Sequence, residues 1–127
     1  MKKIKVFTLL SVIYAIFLFY LSSLPTITQT QLFHGSDKVA HFAAYAFFGF
    51  LVASALREWN VEKRVWLWGF LIVAVYGVSD EIHQYFVTGR DCSILDLTAD
   101  AAGALCGVFF KVSWLLKLFT KRYRRKK

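Results

Sequence analysis

The sequence predicts an all-α membrane protein, a bundle of four transmembrane helices. Three observations support this prediction: 57% of the 127 residues are hydrophobic and 18% aromatic, only 19% are charged, and the apolar residues form long runs between short basic segments. The length fits one domain, residues 1–127, and a domain of this size cannot bury so much apolar surface in water. The same composition, with only two cysteines, excludes a disordered chain and a disulfide-stapled secreted module.

Four apolar segments are candidate spans, since a helix needs about 20 mostly apolar residues to cross a bilayer. We expect them at about residues 6–24, 39–56, 65–86 and 97–119, followed by a basic tail at 120–127. The first has no charged side chain, and its apolar run is longer than that of a signal peptide, so we expect a retained helix. The second is interrupted only by His41. The third reaches full length only by carrying its polar end, residues 80–84, into the edge of the membrane.

The basic residues predict the orientation of these spans. Twelve of the 16 lysines and arginines lie near the N-terminus, in the loop at 57–64 or in the tail, and the opposite loops carry only Lys38 and Arg90. The positive-inside rule therefore places both termini in the cytoplasm, in a bacterial-type inner membrane. Lys111 and Lys117 then lie near the inner end of the fourth helix, where their side chains can extend toward the headgroups. The tail is expected to face anionic lipid and not nucleic acid.

Polar side chains converge at the opposite, outer end of the helices, where six of the eight acidic residues lie. Helical spacing puts Lys38, His41 and Tyr45 on one face of the second helix, Glu81 and Gln84 on the third with Asp80 and His83 flanking, and Asp96 and Asp100 on the fourth. An isolated carboxylate inside a membrane is costly, so these groups should face one another or water in a shallow pocket that opens outward. Below them, Gly103 and Gly107 form a small-xxx-small pattern that allows close helix packing.

Several interpretations of these polar residues remain open. Arg90 is a natural bidentate partner for one of three carboxylates, those of Glu81, Asp96 and Asp100. A salt bridge of this kind could serve only as a staple between helices, and His41 could be a hydrogen-bonded core histidine. The ligand-type residues show no tight metal-binding spacing, so we expect no metal and no cofactor.

Three ordered segments of the chain resemble the motifs of the VanZ-like membrane proteins. Residues 36–45, SDKVAHFAAY, resemble the signature Asp-Lys-x-x-His-Phe-x-x-Tyr of that family. Residues 79–90, SDEIHQYFVTGR, resemble its Glu-x-x-Gln-x-Phe-x-Pro-Gly-Arg segment, with Thr88 where proline is frequent. Residues 95–107, LDLTADAAGALCG, look like its closing Asp-x-x-x-Asn/Asp-x-x-Gly-x-x-x-Gly, with Asp100 where many members have asparagine.

The resemblance implies a fold and a multi-pass membrane location, but no particular reaction. The member that gives the family its name is associated with resistance to the lipoglycopeptide teicoplanin, so an effect on glycopeptide susceptibility is the phenotype that the resemblance suggests.

Three functional hypotheses follow from the polar pocket. In the first, a non-enzymatic protein binds a membrane-lipid headgroup or a lipid-linked cell-envelope precursor, whose phosphate is held by Lys38 and Arg90. The candidate ligand-binding residues are Lys38, His41, Tyr45, Glu81, Gln84, Arg90, Asp96 and Asp100. In the second, an intramembrane enzyme modifies a lipid-linked headgroup, with Glu81 or His41 as the general base. In the third, the chain is an assembly subunit without catalysis or ligand.

Overall fold

The computed structural model describes residues 5–25, 35–90 and 92–124, with side chains through residue 114. Within these residues the chain is all-helical, with four helices and no strand, as the sequence predicts. The helices are α1 (Val6–Ser22), α2 (Ser36–Glu58), α3 (Val65–Tyr85) and α4 (Ile94–Arg124). Both α2 and α3 are long and apolar enough to cross a membrane, whereas α1 is apolar but has only 17 residues.

The helix boundaries differ from the predicted spans by a few residues, mostly at polar ends. The second helix begins at Ser36 because Gly35, with φ of 85°, turns the chain into it, and Asp37 in its first turn suits the positive end of the helix dipole. The first ends at Ser22, just before the segment that leads to Pro25, since a residue before proline disfavours helical backbone. Hydropathy identifies the apolar middle of each helix and misses such polar turns.

The helix α2 lies at the centre of the fold and packs against the other three. Its contact with α4 is the closest: a Cβ added at Gly103 would lie 2.2 Å from the carbonyl oxygen of Phe42, and one at Gly107 would lie 1.8 Å from that of Ala46. The small-xxx-small pattern therefore does allow two backbones to approach closely. Since rising residue numbers on α2 meet rising numbers on α4, the two helices are parallel and their polar beginnings lie at one end.

The core is small and the outer surface is apolar. One buried cluster joins Leu18, Tyr45, Phe48, Val52, Val73 and Ala104 from all four helices. Large apolar side chains nevertheless remain exposed on every helix, including Ile16, Phe47, Val75 and Phe110. An exposed apolar surface of this extent is typical of contact with lipid or another apolar partner.

At the end opposite the polar residues, Glu58 of α2 caps the first turn of α1. Its carboxylate accepts hydrogen bonds from the backbone N–H groups of Phe7 and Thr8, both at 2.9 Å, and from the Thr8 hydroxyl at 3.1 Å. These bonds satisfy donors that a helix N-terminus leaves without intrahelical partners. We call this region the capped end.

Lys111 also lies at the capped end, in an arrangement that the sequence analysis did not predict. Its side chain is buried, and its ammonium lies 4.9–5.1 Å from the ring centroids of Phe7, Phe50 and Trp114. The expected extension toward the headgroups is therefore wrong for this lysine, because aromatic faces attract the cation inside the protein. The side chain of Lys117 and those of the basic tail lie outside the described residues.

Candidate functional site

The beginnings of α2 and α4 meet the end of α3, and this places the predicted site residues together at one end of the fold. We call the group the polar cluster; it comprises Lys38, His41, Tyr45, Asp80, Glu81, Gln84, Arg90, Asp96 and Asp100. Side-chain contacts across the three helices connect its members. The closely packed backbones of α2 and α4 fix the depth at which these side chains meet.

A chain of hydrogen bonds links α2 to the loop after α3. The Tyr45 hydroxyl and the Gln84 amide both donate to Oδ2 of Asp80, each at 3.1 Å. The Arg90 guanidinium in turn donates from Nη2 to Oε1 of Gln84 at 2.8 Å. Tyr45, Asp80 and Gln84 are buried, so these hydrogen bonds hold the Arg90 side chain against the buried part of the cluster.

The partner of Arg90 differs from the sequence prediction. Within the described residues, Arg90 bonds to the amide of Gln84 and forms no ion pair with Glu81, Asp96 or Asp100. The reason is local, because α3 ends at Tyr85 and the following turn, with φ of 77° at Gly89, folds the chain back over the last helical turn. The Arg90 guanidinium therefore contacts Gln84 at the end of α3 and not the carboxylates of α4.

A second group joins α2, α3 and α4. Nδ1 of His41 lies 2.8 Å from Oδ1 of Asp100, and Oε2 of Glu81 accepts a hydrogen bond from the backbone N–H of Ser93 at 3.0 Å. One ligand-type atom from each of His41, Glu81 and Asp100 lies within 4.8 Å of the other two. Desolvation and the nearby Glu81 carboxylate also raise the pKa of the exposed Cys92 thiol, in the loop before α4.

Lys38 lies between two carboxylates. Its ammonium is 2.5 Å from Oδ2 of Asp37 and 2.5 Å from Oδ1 of Asp96, and about a third of its side chain is exposed. Asp37 is also exposed to a similar extent, whereas Asp96 is largely buried. Lys38 thus neutralises part of the acidic charge at the start of α4.

Three buried carboxylates in the polar cluster each have an oxygen without a donor. Among the described residues, nothing donates a hydrogen bond to Oδ1 of Asp80, Oε1 of Glu81 or Oδ2 of Asp100. Each of these side chains is at most 5% exposed. Because a buried acceptor without a partner is costly, these oxygens mark places suited to a ligand, a water molecule or an ion.

A cavity of about 410 Å³ opens beside the polar cluster, between α1, α2 and α3. Its apolar wall contains Leu18, Leu21, Leu24, Ala40 and Ala44, and its polar wall contains Ser22, Asp37, His41, Tyr45, Asp80, Gln84 and Arg90. Four predicted ligand-binding residues thus line it. The other four, Lys38, Glu81, Asp96 and Asp100, are not among the described residues of its wall.

Two features of the site escaped the sequence analysis. Asp80 was expected only to flank the polar face of α3, yet its carboxylate is the acceptor for both Tyr45 and Gln84. The signal was present, since Gly77, Asp80 and Gln84 fall at i, i+3 and i+7 of one helix. The apolar wall from α1 depends on tertiary packing alone and has no local signal. His83 turns away from the cluster, and its Nε2 lies 2.9 Å from the Ser23 hydroxyl of the segment after α1.

Comparison with protein families places the chain in a known one. Residues 5–119 match the family model described as VanZ/LLP1, which spans all four helices. No curated protein and no solved structure is similar enough to the chain to match it.

Proposed function

The chain belongs to the VanZ/LLP1 family, and we propose that it is a membrane protein whose cavity binds the headgroup of a membrane lipid or a lipid-linked envelope precursor. Family membership and two membrane-capable helices support the membrane location. The proposal goes further in assigning a ligand class, which rests on the composition of the cavity.

The proposed topology has four spans, with the capped end facing the cytoplasm and the polar cluster facing outward. The distribution of basic residues favours this orientation through the positive-inside rule. The exposed apolar side chains on α1 and α4 favour contact of both helices with lipid. At about 1.5 Å per residue, α1 is about 26 Å long, which a slight local thinning of the bilayer accommodates.

The observation that carries the ligand class is the two-sided cavity wall. One side is formed by leucine and alanine side chains, and the other by carboxylates, an imidazole, a phenol, an amide and a guanidinium. A lipid presents the same combination, an acyl or prenyl chain beside a polar headgroup. A free polar metabolite would leave the apolar wall without a partner.

Charges of both signs on the polar wall indicate which chemical groups the headgroup carries. Arg90 can bind a phosphate and keep its bond to Gln84, because a guanidinium has five N–H donors. Asp37 and the free oxygen of Asp80 favour a ligand that also carries an amine or hydroxyl donor. Lys38, beside Asp37, adds a second positive charge at the edge of the cavity.

Identification of the lipids that co-purify with the protein tests this proposal. The full chain is purified in a mild detergent, and the co-purifying lipids are quantified by mass spectrometry. We expect one phosphate-bearing lipid or precursor to be enriched with the wild type and lost with Arg90→Ala. The exposed Lys63→Ala, in the loop at the capped end, is the matched control and should retain it. Equal lipid profiles for all three proteins would contradict the assigned ligand class.

The orientation has a separate test in the two cysteines. In a Cys106→Ala variant, Cys92 of the loop before α4 should react with a membrane-impermeant maleimide in intact cells. A Cys92→Ala variant, which keeps Cys106 within α4, is the control and should stay unlabelled. Labelling of Cys92 only after the membrane is permeabilised would reverse the orientation.

The second candidate function is an enzyme that modifies the bound headgroup, and one contact favours it. His41 lines the cavity, and its Nδ1 lies 2.8 Å from the buried Asp100 carboxylate, as in a general base oriented by an acid. Cells that express the wild type or Glu81→Gln at matched levels separate the two functions. A headgroup species that appears only with the wild type supports an enzyme, whereas identical lipid profiles leave binding without conversion.

A further inference from the structure

We propose that the polar cluster holds a divalent transition-type cation, such as Zn²⁺ or Mn²⁺, between His41, Glu81 and Asp100. Each of these residues comes from a different helix, and one ligand atom of each lies within 4.8 Å of the others. Ligands of such an ion bond at about 2.0–2.2 Å, so small side-chain movements close the site. The proposal rests on this geometry and not on the proposed lipid ligand.

The unpartnered oxygens are an independent indication of an ion at this place. Oε1 of Glu81 and Oδ2 of Asp100 accept no hydrogen bond within the described residues, although each side chain is only 2% exposed. Their other oxygens bond to Ser93 and His41 and are thereby oriented. A cation would give both free acceptors a partner. The Ser93 N–H would keep the Glu81 carboxylate oriented, whereas the hydrogen bond between His41 and Asp100 would give way as both residues bind the ion.

The charge balance of the site also favours a divalent ion. Two carboxylates beside a neutral imidazole carry two negative charges, which one divalent cation cancels. Lys38 pairs with Asp37 and Asp96, and Arg90 bonds to Gln84. Among the described residues, a protonated His41 would offset one of the two charges through Asp100, whereas a divalent cation would offset both. A buried carboxylate pair without a cation is costly, since charge is poorly solvated away from water.

The ligand chemistry narrows the kind of ion. Imidazole suits transition-type cations such as Zn²⁺, whereas Ca²⁺ and Mg²⁺ prefer all-oxygen sites. Three protein ligands leave at least one coordination position for an outside group, as in zinc sites that act on substrates. His41 lines the cavity, so the ion would lie at the cavity wall within reach of a bound anionic group.

The experiment titrates Mn²⁺ into the full-length protein in detergent, after chelator treatment, and follows free Mn²⁺ by electron paramagnetic resonance. We expect one ion per wild-type chain and an affinity about tenfold or more lower for Glu81→Gln/Asp100→Asn. Asp37→Asn is the matched control, because it removes an acid of the same end that is not a proposed ligand, and it should bind like the wild type. No binding by the wild type, or equal binding by the double variant, would overturn the proposal.

A second readout protects the test against a variant that fails to fold. Bound Mn²⁺ should raise the melting temperature of the wild type and of Asp37→Asn, since a ligand that binds only the native state stabilises it. His41→Gln, which removes the third ligand alone, should lose this increase; an unchanged increase would count against the site. Arg90→Ala should still bind Mn²⁺ while it loses the retained lipid, so failure of the ion site and failure of the lipid proposal are distinguishable.

Discussion

At the capped end both oxygens of the Glu58 carboxylate accept hydrogen bonds, three in all, from the first turn of α1. At the other end the carboxylates of Asp80, Glu81 and Asp100 each keep one oxygen that no described residue satisfies. The difference is not explained by exposure, because Glu58 is only partly buried and the other three are almost fully buried. The costly arrangement is thus found where water is least able to compensate for it.

This comparison separates a structural carboxylate from candidate functional ones. Folding stability alone favours the Glu58 arrangement, in which a charge meets matched donors. Buried acceptors without a protein donor lower stability unless a water molecule, an ion or a ligand provides a partner. The capped end therefore holds the helices together, whereas we propose that the polar cluster binds a ligand.

The substitution with the largest expected effect disrupts the close packing of α2 against α4, on which both ends of the fold depend. Gly107→Ala places a Cβ 1.8 Å from the carbonyl oxygen of Ala46, and because that atom is backbone, α2 and α4 must separate. We expect a loss of about 3 kcal/mol in the free energy of unfolding, measured by denaturant titration in detergent. The contacts of α2 with α4 at the polar cluster should loosen as well, so lipid retention should fall.

Gly69→Ala is the matched control for this substitution. Its added Cβ would meet Cγ2 of Val108 at 3.2 Å, and a side chain can shift where a backbone cannot. We expect a change within about 1 kcal/mol, since alanine also favours helix more than glycine. Equal losses of stability for Gly69→Ala and Gly107→Ala would mean that the glycines of α4 do not determine how closely α4 packs against α2.

At the capped end, Glu58→Ala should lower the free energy of unfolding by about 1–2 kcal/mol. The substitution removes three hydrogen bonds and leaves two backbone N–H groups of α1 without their acceptor. Thermal or denaturant unfolding in detergent measures the loss, and the exposed Glu62→Ala provides the control, with an expected change within about 0.5 kcal/mol. Lipid retention should be unchanged, because Glu58 lies at the end opposite the cavity.

Lys111 sharpens the comparison with a buried charge of the other sign. Lys111→Met keeps the bulk of the side chain but removes the ammonium that faces three aromatic rings, so we expect a loss of about 1 kcal/mol. Lys111→Arg retains the charge and should lose less in the same unfolding measurement. A gain in stability with methionine would show that burial outweighs the aromatic contacts, and the capped end would then resemble the polar cluster.

The fold was largely predictable because apolar runs in a chain of this composition indicate helices directly. The four helices, and the close packing of a neighbouring helix at Gly103 and Gly107, follow from local spacing. That this neighbouring helix is α2 is known only from the structure. Hydropathy began the second span at residue 39, whereas helical spacing had already placed Lys38 on that helix, as the structure shows. Lys111 was misjudged because two of its three aromatic neighbours, Phe7 of α1 and Phe50 of α2, have no local signal.

The convergence of the candidate site residues was predictable from the sequence, but the contacts among them were not. Helical faces brought His41, Glu81 and Asp100 to one depth, and the structure adds that they meet closely enough to share an ion. The partner of Arg90 could not be inferred, because a turn after α3 decides which carboxylate or amide it reaches. Spacing along one helix also cannot show which oxygen of Asp80 stays without a donor.

Asp100→Asn is expected to have the smallest effect on stability. Whether it raises or lowers the free energy of unfolding is what distinguishes the polar cluster from the capped end. The amide keeps an oxygen for His41 and removes a buried charge whose second oxygen has no donor within the described residues. We therefore expect the free energy of unfolding to stay within about 1 kcal/mol of the wild type or to rise, whereas Mn²⁺ binding falls.

The corresponding substitution at the capped end is Glu58→Gln, which should lose stability because the acceptor charge there is matched by donors. If Asp100→Asn instead lost as much stability as Glu58→Ala, the buried acid would act as a structural link between α2 and α4. Opposite signs for the two conservative substitutions, with ion binding lost only at Asp100, would show that the unmatched oxygens are retained for a ligand at a cost to the fold.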